Sequence, residues 1–460
     1  MYQIDFQTPI HVHFIGIGGI SMSGLAQILL KKGFPVSGSD SAKSALTEQL
    51  ADLGARIVYG QKAENITDDI QAVVYTAAIH PDNPEYAAAR AAGIPMITRA
   101  ELLGQIMRNF ETAIAVAGTH GKTTTTSMLA AILLAAEKDP TVSVGGILPE
   151  IGGNIRTGSS GVFLTEACEY TNSYLSFFPT VSVILNIEED HMDFFKDLED
   201  IRSSFHRFAA LLPEDGLLVL NSGIPAPEEI VKDIKARVAT CGLKGTEDYT
   251  VSGEISWDDR GCASFALCRR GETMGPVTLH VPGRHNVANA LAALAVSLET
   301  GIPFPQAASG LSAFHGTDRR FQYKGEVNGV TVIDDYAHHP TEIRATLQAA
   351  AAYPHRELWC VFQPHTYTRT KAFLTDFADA LSHADHVVLT DIYAAREVNT
   401  LGISSGMLQE ELLKKGTDCS YFSSFAEIEK FLSKKCMHGD LLITMGAGDV
   451  LKIGENLLSR

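Results

Sequence analysis

A heptapeptide with phosphate-holding chemistry, Gly118-Thr119-His120-Gly121-Lys122-Thr123-Thr124, lies between an apolar run, Thr112 to Ala117, and a helical pattern rich in alanine and leucine from Lys122 to Ala136. Glycines let the backbone curl so that successive N–H groups face an anion, and a helix N-terminus adds partial positive charge. Lys122 would carry a full charge to the β- and γ-phosphates of ATP, and the Thr123 hydroxyl would reach Mg2+. Longer P-loops have another glycine five residues before Gly121; Val116 stands there, so this is a shortened variant. The bland alternative is a glycine turn that only caps a helix beside a solvated lysine. The strand, the turn and the Gly-Lys-Thr-Thr order favour the phosphate site, which does not by itself separate a kinase, an ATPase, a motor and a ligase.

Two later loops also follow apolar strands: Glu166-Ala167-Cys168-Glu169 and Asn186-Ile187-Glu188-Glu189-Asp190-His191-Met192-Asp193. In a parallel sheet such loops gather at one edge, beside the phosphate loop, where carboxylate and imidazole groups could hold Mg2+. Each alone reads more simply as acidic surface. A second glycine loop, Gly16-Ile17-Gly18-Gly19-Ile20-Ser21, opens the chain and is followed by Asp40 near the acidic position of a dinucleotide fingerprint. A nicotinamide dehydrogenase is therefore the rival from another class. Against it, Ser21 replaces the third glycine, and a dehydrogenase leaves the loop at Lys122 unexplained.

The elements that must position these loops fall into three successive α/β starts. The first runs from the strand at His11 to Ile17 through strand-like segments at 35–38, 56–59, 72–76 and 95–98 with helical spacing between them. The second begins at Thr112, extends through apolar runs at 162–165 and 181–187, and ends in shorter alternating strands over 250–281. The third follows the Gly316-Thr317-Asp318 turn. A chain of 460 residues exceeds one core, and at roughly 100–200 residues per domain it predicts three: 1–107, 108–317 and 318–460. The fold class is α/β, with a small antiparallel sheet added to the central parallel one. No repeat of fixed period is present.

Composition narrows the class further. With 45% hydrophobic and 20% charged residues the chain is ordinary globular protein, and a net charge of −17 without a basic patch argues against nucleic acid or an acidic membrane as partner. Seven cysteines without a Cys-x-x-Cys pair argue against a disulfide framework and a structural zinc site. The N-terminus has no basic-then-apolar leader, and no apolar run approaches the ~20 residues of a membrane span, so the expected compartment is the cytoplasm.

Six segments in order resemble the Mur ligase family: the loop at 118–124, Asp190-His191-Met192-Asp193, Gly283-Arg284-His285-Asn286-Val287-Ala288-Asn289-Ala290, Asp334-Asp335-Tyr336-Ala337-His338-His339-Pro340, the opening 13–24, and Phe362-Gln363-Pro364-His365-Thr366-Tyr367-Thr368-Arg369-Thr370; Gly446-Ala447-Gly448-Asp449 extends the match. The opening 13–24 and the segment 362–370 are most like the branch that adds L-alanine to UDP-N-acetylmuramate. The resemblance implies a Rossmann-like first domain for the UDP-sugar, a central ATPase domain, and a Rossmann-like third domain that closes over ATP and helps bind the amino acid, in a monomer or homodimer. Carried over residue by residue, Lys122, Glu166 and His191 are catalytic, and Thr123, Glu166 and His191 are the Mg2+ ligands. Gly118 to Thr124 hold the phosphates, His285, Asn286 and Asn289 lie by the adenine, Arg320 by the phosphates and Asp335 by the ribose. Gly16, Gly18, Gly19, Ser21, Asp40, His191, His339, His365 and Arg369 are expected to bind substrate. Several branches use a carbamoylated lysine after the Asp-His loop; here no lysine occurs between Lys196 and Lys232, and Phe205-His206-Arg207 occupies the place. Thr366 departs from the family's His-Arg-Tyr-Thr-Arg-Thr run, whereas Arg369 keeps its position.

The chemistry this implies answers a definite problem: a carboxylate is a poor electrophile until ATP converts it to an acyl phosphate, which an amine then attacks. Water would destroy that intermediate, so closure is required; His191 or His365 is available to accept the amine proton. Within the family the alternative is the recycling ligase that attaches a whole peptide to the same sugar. A non-catalytic regulator would be expected to have lost Lys122 or the metal ligands, and all are present.

Overall fold

The computed structural model describes residues 2–76, 78–395 and 397–459. The first sheet is β1 (Val12–Ile15), β2 (Val36–Asp40), β3 (Arg56–Tyr59), β4 (Ala72–Tyr75) and β5 (Met96–Thr98), all parallel, in the order β3-β2-β1-β4-β5. Its helices are α1 (Ile20–Lys31), α2 (Ala45–Asp52), α3 (Pro84–Ala91) and α4 (Arg99–Met107). Their starts are written locally: Ser44 with Thr47 and Thr98 with Glu101 form reciprocal caps, and Asn83 caps α3 ahead of Pro84. The strand order reverses beside β1, which puts the Gly16–Gly19 loop at the crevice where such sheets take ligands.

The central sheet comprises β6 (Thr112–Ala117), β7 (Thr141–Leu148), β8 (Gly153–Arg156), β9 (Val162–Ala167), β10 (Val181–Ile184), β11 (Leu217–Asn221), β12 (Arg237–Cys241), β13 (Tyr249–Trp257), β14 (Cys262–Arg269) and β15 (Glu272–Pro282). The order is β15-β14-β13-β12-β11-β10-β6-β9-β7-β8. The antiparallel strands expected as a small sheet are β13 to β15. They continue the parallel sheet through one residue pair, Cys241 with Tyr249, which covers the otherwise open edge of β12. Helix α5 (Lys122–Ala135) follows β6; α6 (Leu198–Ala209), α7 (Pro227–Ile230), α8 (Arg284–Glu299) and α9 (Phe304–Ala313) complete this unit.

The third sheet, β16 (Gln322–Val327), β17 (Val330–Asp335), β18 (Leu358–Phe362), β19 (His386–Leu389), β20 (Asp418–Tyr421) and β21 (Leu441–Met445), runs β16-β17-β21-β18-β19-β20 and is parallel apart from β16. It is flanked by α10 (Pro340–Ala352), α11 (Tyr367–Ala372), α12 (Leu374–Leu381), α13 (Ser405–Lys414), α14 (Phe425–Lys435) and α15 (Leu451–Leu458).

The cores are not divided as the sheets are. Leu25, Leu29, Leu103 and Ile106 of the first unit pack into one apolar cluster with Ala115, Phe163, Tyr174 and Phe205 of the central unit, whereas the third sheet has cores of its own. At this junction Gly104 of α4 lies against backbone: a Cβ there would stand 1.9 Å from the Ser176 carbonyl oxygen. Among the described residues no helix is long and apolar enough to cross a membrane.

Candidate active site

β6 is flanked by β10 and β9, so the loops after these three strands meet at one sheet edge. Gly118 (φ +146°) and Gly121 (φ +82°) supply the backbone turns that admit α5 directly after the strand. Gly121 is the helix N-cap without a side-chain cap bond, which leaves first-turn N–H groups directed into the loop. The Asn186 side chain staples the loop, accepting from the His120 N–H at 2.7 Å and donating to its carbonyl at 3.0 Å. Lys122 folds back: Nζ donates to the carbonyls of Gly118 (2.5 Å) and Thr119 (3.1 Å) and to the Glu169 carboxylate (3.0 and 3.2 Å). The Glu169 and Glu166 charges raise its pKa against the opposing effect of burial.

Thr123, Glu166 and His191 line a single cavity of 1060 Å³ with Lys122. Glu166, at the end of β9, accepts the Gly145 N–H at 2.5 Å. His191 holds φ +54° and stacks on Tyr170 with ring centroids 4.6 Å apart; its Nε2 is 4.0 Å from Glu169. Burial lowers its pKa, with Asp190 and Glu169 opposing, which favours the neutral imidazole that a cation needs. Hydroxyl, carboxylate and imidazole are each ligand types that a small divalent cation accepts. Burial and Glu169 push the Cys168 thiol up to about 11, so it is an inert neighbour.

A second cavity, of 290 Å³, joins His120, Gly121 and Thr124 to His285, Asn286 and Asn289 at the start of α8 and to Arg320 and Asp335 of the third unit. Asn289 Nδ2 donates to Asn286 Oδ1 (3.1 Å), and Asn286 Nδ2 donates to the Pro282 carbonyl (2.7 Å), so the two amides are held in register. Asp335 accepts the N–H groups of Phe321 (2.8 Å) and Ala337 (2.7 Å); burial, only partly offset by Arg320, pushes its carboxyl up to about 6. The Arg320 guanidinium lies 5.3 Å from the Tyr336 ring centroid.

Three consecutive residues of the loop after β10 hold the third unit in place. Glu188 accepts the Thr341 hydroxyl (2.6 Å), the Glu189 carbonyl accepts from His339 Nε2 (3.0 Å), and Asp190 pairs with Arg369 (2.8 Å). His339 thus faces the central unit and lines none of the cavities described, while its neighbour His338 turns to the large cavity. His120, Glu188 and His339 place ligand atoms within 4.8 Å of one another, but both His339 nitrogens are engaged, Nδ1 accepting the Thr341 N–H, so no cation site is preformed. His365, Thr366 and Arg369 line a further cavity of 430 Å³ with Asp190 and His191. Thr366 has φ +64° and ψ 146°, a strained backbone for a β-branched residue, pinned by its N–H to the Tyr393 carbonyl (2.9 Å).

In the first unit Gly16 has φ +82° and Gly19 is the N-cap of α1, with Ser21 exposed on its first turn. Asp40 turns inward to this loop and accepts the Gly18 N–H at 2.8 Å. The large cavity reaches this unit through Ser23, Gln27 and Lys31 of α1. His206 lies apart from the site and donates from Nδ1 to the Ile230 carbonyl at 3.1 Å, a packing role. The residues that reading the chain left without a role are Glu169, Asn186, Asp190 and Glu342. The first three lie inside loops already singled out; Glu342, 3.3 Å from His120 and from His338, had only its spacing of four from His338 as a signal.

Comparison with known proteins agrees with this layout. Three consecutive stretches match family profiles: residues 11–111 the Mur ligase family catalytic domain, 116–297 the Mur ligase middle domain, and 319–448 the Mur ligase glutamate ligase domain. A UDP-N-acetylmuramate–L-alanine ligase of Agathobacter rectalis is 61% identical over 460 residues, covering 100% of both chains, and one of Caldanaerobacter subterraneus subsp. tengcongensis is 48% identical with 99% of both covered. Among solved structures, the UDP-N-acetylmuramate–alanine ligase of Thermotoga maritima superposes with a TM-score of 0.81 at 31% identity, over 98% of this chain and 99% of the other. A murein peptide ligase of Psychrobacter arcticus gives 0.72 at 26%, with 98% of each covered. Three sheets in this order, a shortened phosphate loop at the seam and full-length similarity have one explanation: the chain belongs to the Mur ligase family.

Proposed function

We propose that the protein uses ATP to join L-alanine to the lactyl carboxylate of UDP-N-acetylmuramate, in the cytoplasm, as a step of peptidoglycan precursor synthesis. The observation that carries the reading is the convergence of Lys122, Thr123, Glu166 and His191 on one cavity that Arg320 of the third unit also lines, in a chain 48–61% identical to ligases named for this reaction. The domain limits that go with it are 1–107, 108–317 and 318–460.

In this reading the Gly16–Gly19 turn and the α1 N-terminus hold the UDP pyrophosphate, and Asp40 fixes the turn by its bond to Gly18. Asn286 and Asn289 border the adenine and Asp335 the ribose. Thr123, Glu166 and His191 hold Mg2+, which when bound spreads the charge of the γ-phosphate. Lys122 and Arg320 neutralise the oxygens of the phosphoryl group as the lactyl carboxylate attacks it, giving an acyl phosphate and ADP. The alanine amine, free of its proton, attacks the acyl carbon and phosphate leaves. His365 and Arg369 border the 430 Å³ cavity beside His191, where the amino acid is held. The clasp of Glu188, Glu189 and Asp190 on the third unit keeps water from the intermediate.

The test is incubation with ATP, Mg2+, UDP-N-acetylmuramate and single amino acids, following phosphate release and product mass. Alanine-dependent phosphate with the amide mass is the expected result. Product with a tripeptide but with no single amino acid would mean the peptide-recycling reaction, and no ATP consumption under either condition would refute the ligase reading.

A further inference from the structure

Glu169 is 2% exposed and carries no role in the chemistry above, yet its carboxylate lies between the two groups that the reaction most needs to hold still. Both its oxygens meet Lys122 Nζ, Oε2 at 3.0 Å and Oε1 at 3.2 Å, and Oε1 also stands 4.0 Å from His191 Nε2. Lys122 is itself only 15% exposed in its side chain. An ammonium has three N–H donors, and here all have acceptors: two backbone carbonyls of the phosphate loop and this carboxylate. A triphosphate entering the loop must take donors away from one of them. Giving up the carbonyls leaves neutral acceptors in a loop whose dipoles face an anion. Giving up Glu169 would strand a buried charge, a far larger cost.

We infer that Glu169 is a positioning residue for phosphoryl transfer: the fixed counter-ion on which Lys122 pivots, exchanging its carbonyl partners for phosphate oxygens while the carboxylate bond persists. This rests on the ATP-dependent ligase reading above. Oε1 also lies near His191 Nε2, so the lysine on the phosphate and the proposed cation ligand border the same carboxylate. Position in the fold supports this use. Glu169 follows the end of β9, next to β6 in the sheet, on a backbone anchored by the Asn172 N–H to its carbonyl at 2.9 Å.

The experiment compares the full chain with Glu169→Gln and Glu169→Asp, measuring turnover at saturating substrates, ATP affinity by calorimetry, and thermal melting. Removal of the negative charge makes the pocket more positive, so Glu169→Gln should bind ATP within about threefold of the parent, or more tightly. Turnover should nevertheless fall about 10–100-fold, and Glu169→Asp should recover much of it. A merely structural ion pair predicts instead that melting, ATP affinity and turnover all decline together, or that turnover does not change; either result overturns the inference. If the parent chain makes no amide at all, the ligase reading fails separately, and a Glu169→Gln variant that no longer binds ATP still refutes the pivot.

Discussion

The two glycine loops use the same strand–turn–helix device to different depth. At the first, Gly16 turns the chain, Gly19 caps α1, and the Asp40 carboxylate is spent on the Gly18 N–H. At the second, the loop is stapled by Asn186, carries Lys122 on a buried counter-ion, and lies beside the clasp that Glu188, Glu189 and Asp190 make on the third unit. A backbone turn suffices to hold a pyrophosphate that does not react. A phosphate that must accumulate and lose charge needs a cation, and a cation in a buried site needs a partner that stays.

Removal of the cation gives the sharpest break. Lys122→Ala should lower kcat/KM for alanine-dependent phosphate release by about 1,000-fold, whereas no single side chain of the first loop should approach that. Next comes the clasp, which the first loop lacks. Asp190→Asn leaves the Arg369 charge, 10% exposed in its side chain, without a charged partner. Opening of the seam should become easier by about 2 kcal/mol, roughly 30-fold, read as faster amide exchange around the start of α10. Third, a methyl group separates the ligands: on Gly18 it would stand 2.7 Å from Asp40 Oδ2, on Gly121 2.7 Å from Asn289 Oδ1 and at φ +82°. Gly18→Ala should raise KM for the nucleotide sugar about tenfold with kcat nearly kept, and Gly121→Ala should raise KM for ATP instead; equal effects of both on both substrates would erase the comparison.

The smallest effect is in pH. Burial alone would lower the His120 pKa, but Glu188 and Glu342 more than reverse this and lift it to about 9. A folded-state pKa above the unfolded value of about 6.5 means stabilisation that is complete below pH ~6.5 and lost as pH rises through about 9. Melting temperature should therefore fall over that window in the parent and do so less steeply in His120→Gln. The first loop, Gly16 to Ser21, has no titratable side chain and contributes no such slope.

The same contrast explains what could be read from the chain. Gly118, Gly121, Lys122 and Thr123 are legible because their chemistry lies within one turn, and Glu166 and His191 because they follow apolar strands whose loops a parallel sheet must gather. The alternation of strands and helices makes three sheets legible, and the shorter alternating pattern over 250–281 the antiparallel strands. Asp190 and Arg369 are 179 residues apart, and no local pattern in either foretells their pairing. Glu169 looked like the acidic surface of an exposed loop because burial is a property of packing, not of its neighbours in sequence. Likewise His339 carries the letters of a substrate residue, and only its N-cap position on α10 turns it toward Glu189.

The shared core of the first two units has a consequence beyond stability. With α4 seated backbone to backbone on the central unit at Gly104 and Ser176, the loop proposed for the sugar nucleotide and the loop proposed for ATP are joined through one apolar core. In the proposed reaction their separation would act as a gauge. A nucleotide sugar anchored at one end is measured by how far its carboxylate reaches, and a miss of ~1 Å at the far end costs about 100-fold in rate. Under the proposed function the molecule would therefore reject a donor by length, with no pocket that recognises the part that is wrong.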